Sequence, residues 1–166
     1  RGAELLNGVF NVEMKYTSQG PRLIEINARL GGFYLTDWAL KVYNVHLLRC
    51  VAQIACGIRP VIREVMPAPR CHMAGLQLYP TQHGKVLRSL VPADERKLSV
   101  EERVRQNRFR TLEARGIVTW ISMAAAVGSD DAEWEFAYGN VGCEGRSALE
   151  AATRLCTVVD CLQLDA

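Results

Sequence analysis

Gly8-Val9-Phe10-Asn11-Val12-Glu13-Met14-Lys15 and, beyond Ser18-Gln19-Gly20-Pro21, Leu23-Ile24-Glu25-Ile26-Asn27-Ala28-Arg29 form the stretch on which the reading of the chain turns. Val9–Tyr16 and Arg22–Asn27 read as two strands around a turn, a hairpin pattern. Strand side chains alternate faces, so Asn11, Glu13 and Lys15 share one face, and Phe10, Val12 and Met14 the other. The second strand puts Glu25 and Asn27 together and sends Ile24 and Ile26 the opposite way. A turn centred at Gln19 sets Glu13 opposite Glu25 and Asn11 opposite Asn27. Like charges directly opposite each other destabilise a sheet by about as much as a favourable pair stabilises it, roughly 0.2 to 1 kcal/mol. The arrangement therefore calls for a cation or a shared proton. Two carboxylates and an amide oxygen, completed by phosphates and water, suit Mg²⁺. A solvated face with the glutamates paired to Lys15 and Arg29 fits the same spacing.

Working outward, the chain has 166 residues, 49% of them hydrophobic and 23% charged, with a formal charge of +2. Such a composition fits a folded globular chain and argues against long disorder. The near balance of charge argues against a dedicated nucleic-acid binder. Arg49, Arg59 and Arg63 interrupt the most apolar region, so no membrane span is expected. Cys50, Cys56, Cys71, Cys143, Cys156 and Cys161 show no C-x-x-C spacing, and His46, His72 and His83 are scattered, which gives no zinc pattern. Several of these cysteines fall on apolar helical faces, as reduced thiols in a cytoplasmic protein do. The chain opens on Arg1 with no basic leader and reads as a piece of a longer protein.

Asp37 is placed to cap one helix running to about Cys56, where Leu40, Leu47, Leu48, Val51 and Ile54 form a stripe that Gly57 ends. Pro60, Pro67 and Pro69 mark a connector. Cys71–Tyr79 and Lys85–Val91 read as strands of a second hairpin around Pro80–Gly84. Ser99 and Glu102 have capping-box spacing and open a basic helix that stops near Gly116. The absence of an aromatic ladder among its arginines favours a solvated helix over a nucleic-acid surface. Ile117–Val127 and Trp134–Val141 read as pairing strands on either side of Gly128-Ser129-Asp130-Asp131. Ser147 and Glu150 repeat the capping box ahead of an amphipathic helix along Leu149, Ala152, Leu155, Val159 and Leu162. The fold class is α+β, antiparallel sheets with packed helices, in two parts: 1–60 with the first hairpin and its helix, and 61–166 with the later sheet and helices. Tyr34, Trp38 and Trp120 are expected to fill space. His46 is expected within a helix, His72 at a strand start and His83 at a turn tip.

The string from Gly8 to Gly32, with a glutamate, a second glutamate twelve positions later in Glu-x-Asn-x-Arg, and then Gly-Gly, resembles the metal-binding end of the ATP-grasp superfamily. The wording from Asn11 to Gly57, together with His72–Val86, resembles its dipeptide-forming ligases. The resemblance implies the C-terminal part of an ATP-grasp fold. Glu13, Glu25 and Asn27 then match positions that hold two Mg²⁺ or Mn²⁺ ions on ATP phosphates, with Glu25 between the ions. Arg29 matches the arginine beside the reacting carboxyl, where a guanidinium can hold a transferred phosphoryl group. Gly31 and Gly32 could present backbone N–H groups to the same oxygens or simply form a turn.

By the same resemblance, ATP phosphorylates the carboxylate of β-alanine or γ-aminobutyrate, and the α-amine of L-histidine attacks the acyl phosphate. The ATP-binding lysines, the adenine strand and the glycine-rich lid are expected upstream of Arg1, so the piece alone is not expected to turn over. Residues 71–166 are expected to buttress the site and to offer homo-oligomer contacts. Another dipeptide or purine-pathway ligase, or a non-catalytic module that keeps the fold, is the alternative.

Overall fold

The computed structural model describes residues 7–32, 34–62, 68–90, 92, 94–123 and 139–164. The chain divides into two compact units, Arg1–Arg70 and Cys71–Ala166. It is α+β, with antiparallel strand pairing throughout the described residues.

The first unit opens with β1 (Asn11–Thr17) and β2 (Gly20–Asn27). Thr17 pairs with Gly20, so the reversal is made by Ser18 and Gln19. Gly20 takes φ +94°, a backbone region that L side chains rarely enter. The Thr17 hydroxyl donates to the Gly20 carbonyl at 2.8 Å and accepts from the Gln19 N–H at 3.2 Å. Two helices follow where one was expected: α1 (Leu35–Tyr43) and α2 (Leu47–Ala55). The break is at Asn44, which adopts a left-handed conformation (φ 59°) tolerated by asparagine better than by most residues. Its N–H donates to the Leu40 carbonyl at 2.9 Å, and the Val45 N–H to that of Ala39 at 3.2 Å. Asp37 accordingly lies in the first turn of α1 instead of capping it; there its charge favours the helix dipole. His46, expected inside a helix, caps α2: its Nδ1 accepts from the Arg49 N–H at 3.3 Å.

The second unit carries the core. A three-stranded sheet is ordered β3 (His72–Leu78), β5 (Gly139–Gly145), β4 (Trp120–Met123). Residues 124–138, which include much of the two expected strands and the turn between them, lie outside the described residues. The expected strand over Lys85–Val91 is instead helical, in α3 (Pro80–Leu90), and β3 pairs with β5. Proline is suited to a first helical turn. The spacing of buried Val86 and Leu87 with Leu90 fits a helix face as well as a strand, and packing of α3 on α4 (Val100–Ala114) decides between them. His83 is not at a loop tip: its Nδ1 accepts from the Tyr79 N–H at 2.9 Å at the start of α3.

Basic α4 buries Gln106, Phe109 and Leu112, as a solvated helix with one packed face does. Leu78, Leu87, Phe109, Val141, Val158 and Leu162 lie in one cluster, with α5 (Ala148–Leu162) packed on the sheet. Arg105 joins α4 to both neighbours, donating to the buried Ser89 hydroxyl at 3.0 Å and to Gln163 Oε1 at 3.5 Å. All six cysteines are free thiols, and burial pushes the Cys143 thiol up to about 11.

Both expected serine caps sit at helix starts. At α4 the exchange is reciprocal: the Glu102 N–H donates to Ser99 Oγ at 3.2 Å, and the Ser99 N–H to Glu102 Oε2 at 2.9 Å. At α5 the Ser147 hydroxyl accepts from the Glu150 N–H at 3.1 Å, but Glu150 reaches one residue further back, to the Arg146 N–H at 2.8 Å. These backbone donors, Ser99 for Glu102 and Arg146 for Glu150, hold both carboxyls below their ordinary value of 4.5. The folded state thus binds these protons less readily than the unfolded chain does. The associated stability is present above the ordinary value and is lost as pH falls through the lowered ones. Thermal unfolding followed across that range should show a decline that Glu102→Gln and Glu150→Gln together reduce.

A Cβ at Gly145 would collide with the Ala151 backbone nitrogen, because the start of α5 lies directly against the end of β5. Gly145→Ala is expected to lower stability by about 1 to 3 kcal/mol, the usual cost of overpacking against backbone, read from denaturant unfolding.

Candidate metal and phosphate site

The pairing of β1 with β2 sets Asn11 opposite Asn27, Val12 opposite Ile26 and Glu13 opposite Glu25. Beyond that rung the register shifts by one, so that Met14 faces Leu23, Lys15 faces Arg22, and Ile24 is left without a partner. The two-residue turn alone would have set Glu13 beside Ile24. The extra residue at Ile24 is what brings the glutamates opposite each other.

Along the face of Glu13, the rungs run from an amide pair, Asn11 and Asn27, through the carboxylate pair to a cationic pair, Lys15 and Arg22. Asn11 Nδ2 donates to Glu13 Oε1 at 3.0 Å, and Asn27 Nδ2 to Glu25 Oε1 at 2.6 Å. Each carboxylate therefore has one oxygen fixed by its own strand, and each amide oxygen stands beside a carboxylate. Both glutamates are exposed. Among the described residues neither forms an ion pair with a lysine or arginine: Arg22 donates to Gln19 Oε1 at 2.7 Å, and Arg29 Nη1 to the Leu30 carbonyl at 3.1 Å. The pairing to Lys15 and Arg29 that would make the face self-neutral is not formed.

Arg29 lies beyond the strand. Its N–H donates to the Asn27 carbonyl at 2.8 Å, so the chain turns at Ala28 and strand alternation does not carry its guanidinium onto the carboxylate face. Gly31 returns close to the hairpin. A Cβ there would stand 3.3 Å from Asn11 Oδ1 and 2.7 Å from Leu35 Cδ1, so a larger residue would require the Leu35 side chain to shift. Among the described residues nothing lies within 4 Å of a Cβ at Gly32. The structure thus brings together Asn11, Glu13, Glu25, Asn27 and the Gly31 backbone. Asn11 was absent from the candidate donors drawn from sequence, although its position two residues before Glu13 carried the signal. Tyr34 and Trp38 stack at 4.1 Å, which agrees with their expected space-filling role.

Over 164 residues, 99% of its length, the chain is 38% identical to carnosine synthase 1 of Homo sapiens and to that of Mus musculus, and over 165 residues it is 36% identical to that of Gallus gallus. This chain is homologous to one segment of those proteins. It spans less than a fifth of their length, 16 to 18%. No protein-family model matches it. The mixed helices and antiparallel sheets are compatible with part of an ATP-grasp domain.

The donor set fits a hard divalent cation. Carboxylate and amide oxygens are the ligands such ions take, and the set is too small to enclose one. Among the described residues no three His, Cys, Asp or Glu side chains group closely enough to hold a metal by themselves. Nor is any helix there long and apolar enough to cross a membrane.

Proposed function

We propose that this chain is the metal-binding end of an ATP-dependent carboxylate–amine ligase, one that joins β-alanine to L-histidine as the name of its carnosine synthase relatives indicates. The observation that carries the reading is the unneutralised Glu13–Glu25 rung flanked by Asn11 and Asn27. Glu13, Glu25 and Asn27 would hold Mg²⁺ or Mn²⁺, with phosphate oxygens completing the shell. When bound, the ion neutralises charge on the transferring phosphoryl group.

A carboxylate is a poor electrophile, so its oxygen must first be converted into a leaving group. Transfer of the γ-phosphoryl group of ATP to the substrate carboxylate achieves this, and attack by the amine then releases phosphate and leaves ADP and the dipeptide. The hairpin's part is to fix two carboxylates before the substrates arrive, so that charge is met by an already oriented site. Arg29, on the turn that follows β2, supplies a planar guanidinium for phosphoryl or acyl phosphate oxygens. The backbone at Gly32 has nothing within 4 Å on its Cβ side among the described residues and can approach those oxygens, and Gly31 would offer its N–H beside the Asn11 and Leu35 side chains.

Two substitutions in the ligase that contains this segment test the assignment. Glu25→Gln keeps size but removes one charge, and should abolish most ligation at limiting Mg²⁺ with an unchanged circular dichroism spectrum; an unaltered rate there contradicts the metal role. Arg29→Lys keeps the charge but loses the fork. It should preserve ATP affinity and slow turnover by the equivalent of about 2.7 to 4 kcal/mol, the cost of losing one oriented donor. A large fall in ATP affinity with normal saturated turnover would place Arg29 in ground-state binding instead.

A further inference from the structure

The hairpin carries its charges as like pairs. Glu13 faces Glu25, and on the next rung of the same face Lys15 faces Arg22. The unpaired Ile24 is responsible for the second pair as well as the first. By alternation alone Arg22 and Glu25 would lie on opposite faces of β2, and the register shift brings them to the same one. Like charges directly opposite each other destabilise a sheet, and both rungs would become favourable pairs if one glutamate and one cation exchanged places. The diagonals are not used either: Lys15 and Glu25, or Arg22 and Glu13, stand one rung apart, within reach of long side chains, yet no ion pair joins them among the described residues. Arg22 instead donates through Nη2 to Gln19 Oε1 at 2.7 Å, which ties its guanidinium to the turn. The exposed Lys15 ammonium has no hydrogen-bond or ionic partner among the described residues.

Two adjacent rungs of opposite sign, each self-repelling, are neutralised together by a ligand that is itself divided into a cation and an anion. A cation on the carboxylates alone leaves Lys15 against Arg22, and a free anion on the basic rung leaves Glu13 against Glu25. A divalent ion chelated by linked phosphates meets both. The rungs are about 6.8 Å apart along the strand, and the long lysine and arginine stems bring their heads to phosphates that extend past the ion. The ladder also has a direction. Asn11, Asn27 and the Gly31 backbone lie on one side of the carboxylates, and Lys15 and Arg22 on the other. With phosphoryl transfer at the Arg29 and Gly31 end, the basic rung is left for the phosphates nearer the nucleoside.

Resting on that metal and nucleotide reading, we propose that Lys15 and Arg22 form an anion subsite for the nucleoside-side phosphates of a metal-chelated nucleoside diphosphate or triphosphate. Lys15 supplies a point charge on a flexible stem, and Arg22, held by Gln19, supplies an oriented guanidinium with N–H groups left to donate. The rung binds and orients the nucleotide and touches no reacting atom. Both side chains are exposed, so the attraction weakens as salt screens it.

The test is equilibrium binding to the ligase that contains this segment. ADP and ATP are titrated in excess Mg²⁺ by calorimetry, and Mn²⁺ alone is titrated by electron paramagnetic resonance. Lys15→Gln with Arg22→Gln should weaken both nucleotides at least about tenfold. Mn²⁺ alone should bind as tightly as before or more tightly, because two positive charges beside the carboxylates are gone. Lys15→Arg with Arg22→Lys keeps both charges and should retain most of the nucleotide affinity. The single Lys15→Gln, at an exposed side chain without partners, should show the same split with a smaller loss, so the test stands even if the double variant fails to fold. Undiminished binding of both nucleotides, a loss confined to ATP, or a parallel loss of Mn²⁺ binding by a folded variant would overturn the subsite. Glu25→Gln, measured alongside, separates this failure from that of the metal reading. If it weakens Mn²⁺ while the glutamine variants bind nucleotide normally, only the subsite falls; if it leaves ion and nucleotide binding unchanged, the metal reading falls and the subsite with it.

Discussion

The first unit is organised by two like charges held face to face. Glu13 and Glu25 stand on one rung only because β2 carries an unpaired residue, Ile24, between that rung and the turn. Side chains alternate with a period of two, so a slip of one residue would turn the whole polar set of one strand to the other face. The bulge fixes the register, and the asparagine hydrogen bonds fix the carboxylates within it. The cost of the facing pair is built into the hairpin before any ligand arrives, which is the condition under which a cation bound there is favoured.

The two units rest on different physics. The second has a conventional core: β5 lies between β3 and β4, α5 covers the sheet, and Leu78, Val141, Cys143, Val158 and Leu162 are fully buried. In the first, Cys50 is the one buried residue among those described. Opposite the amide–carboxylate–cation ladder, Val12, Met14, Leu23 and Ile26 remain about half exposed. A two-stranded hairpin with its apolar face uncovered is marginal in water, since burial of that face is what stabilises such a sheet. The polar face is therefore well specified while the apolar face contributes little of its potential stabilisation. That imbalance is what a segment built to work within a longer chain would show.

What could be read from sequence follows from range. Glu13, Glu25, Asn11 and Asn27 could be set in register by spacing alone, because alternation is local. The route was hidden: the turn is Ser18-Gln19, and the compensating bulge at Ile24 has no residue that announces it. Both serine caps were legible since the donor and acceptor lie within one turn. The Asn44 break was not, because Leu40, Leu47, Leu48 and Val51 keep a helical rhythm across it while the left-handed backbone interrupts the chain. Lys85–Val91 failed for the opposite reason. Its short apolar run satisfies two periodicities, and contact with α4 chooses between them. β5 was half missed because Gly139, Gly142 and Gly145 carry no strand preference; at Gly145 the start of α5 lies too close for a side chain. Arg29 was singled out by resemblance alone, and strand alternation, which ceases at Ala28, gives its side chain no direction.

The shape of the donor set constrains how a cation could be used. Two carboxylates and adjacent amide oxygens on an exposed strand pair supply fewer ligands than Mg²⁺ requires, and among the described residues nothing of His, Cys, Asp or Glu type adds a third acidic or basic ligand. A closed site would bind the ion permanently and leave no coordination position for phosphate. An open one binds it weakly alone and more strongly when phosphate oxygens arrive with it. On the proposed reading, ion and nucleotide therefore bind cooperatively, each raising the affinity for the other by the same factor. The exposed Lys15–Arg22 rung, immediately beyond the carboxylates, adds positive charge at one end of the site and gives a polyanion approaching this face a preferred direction.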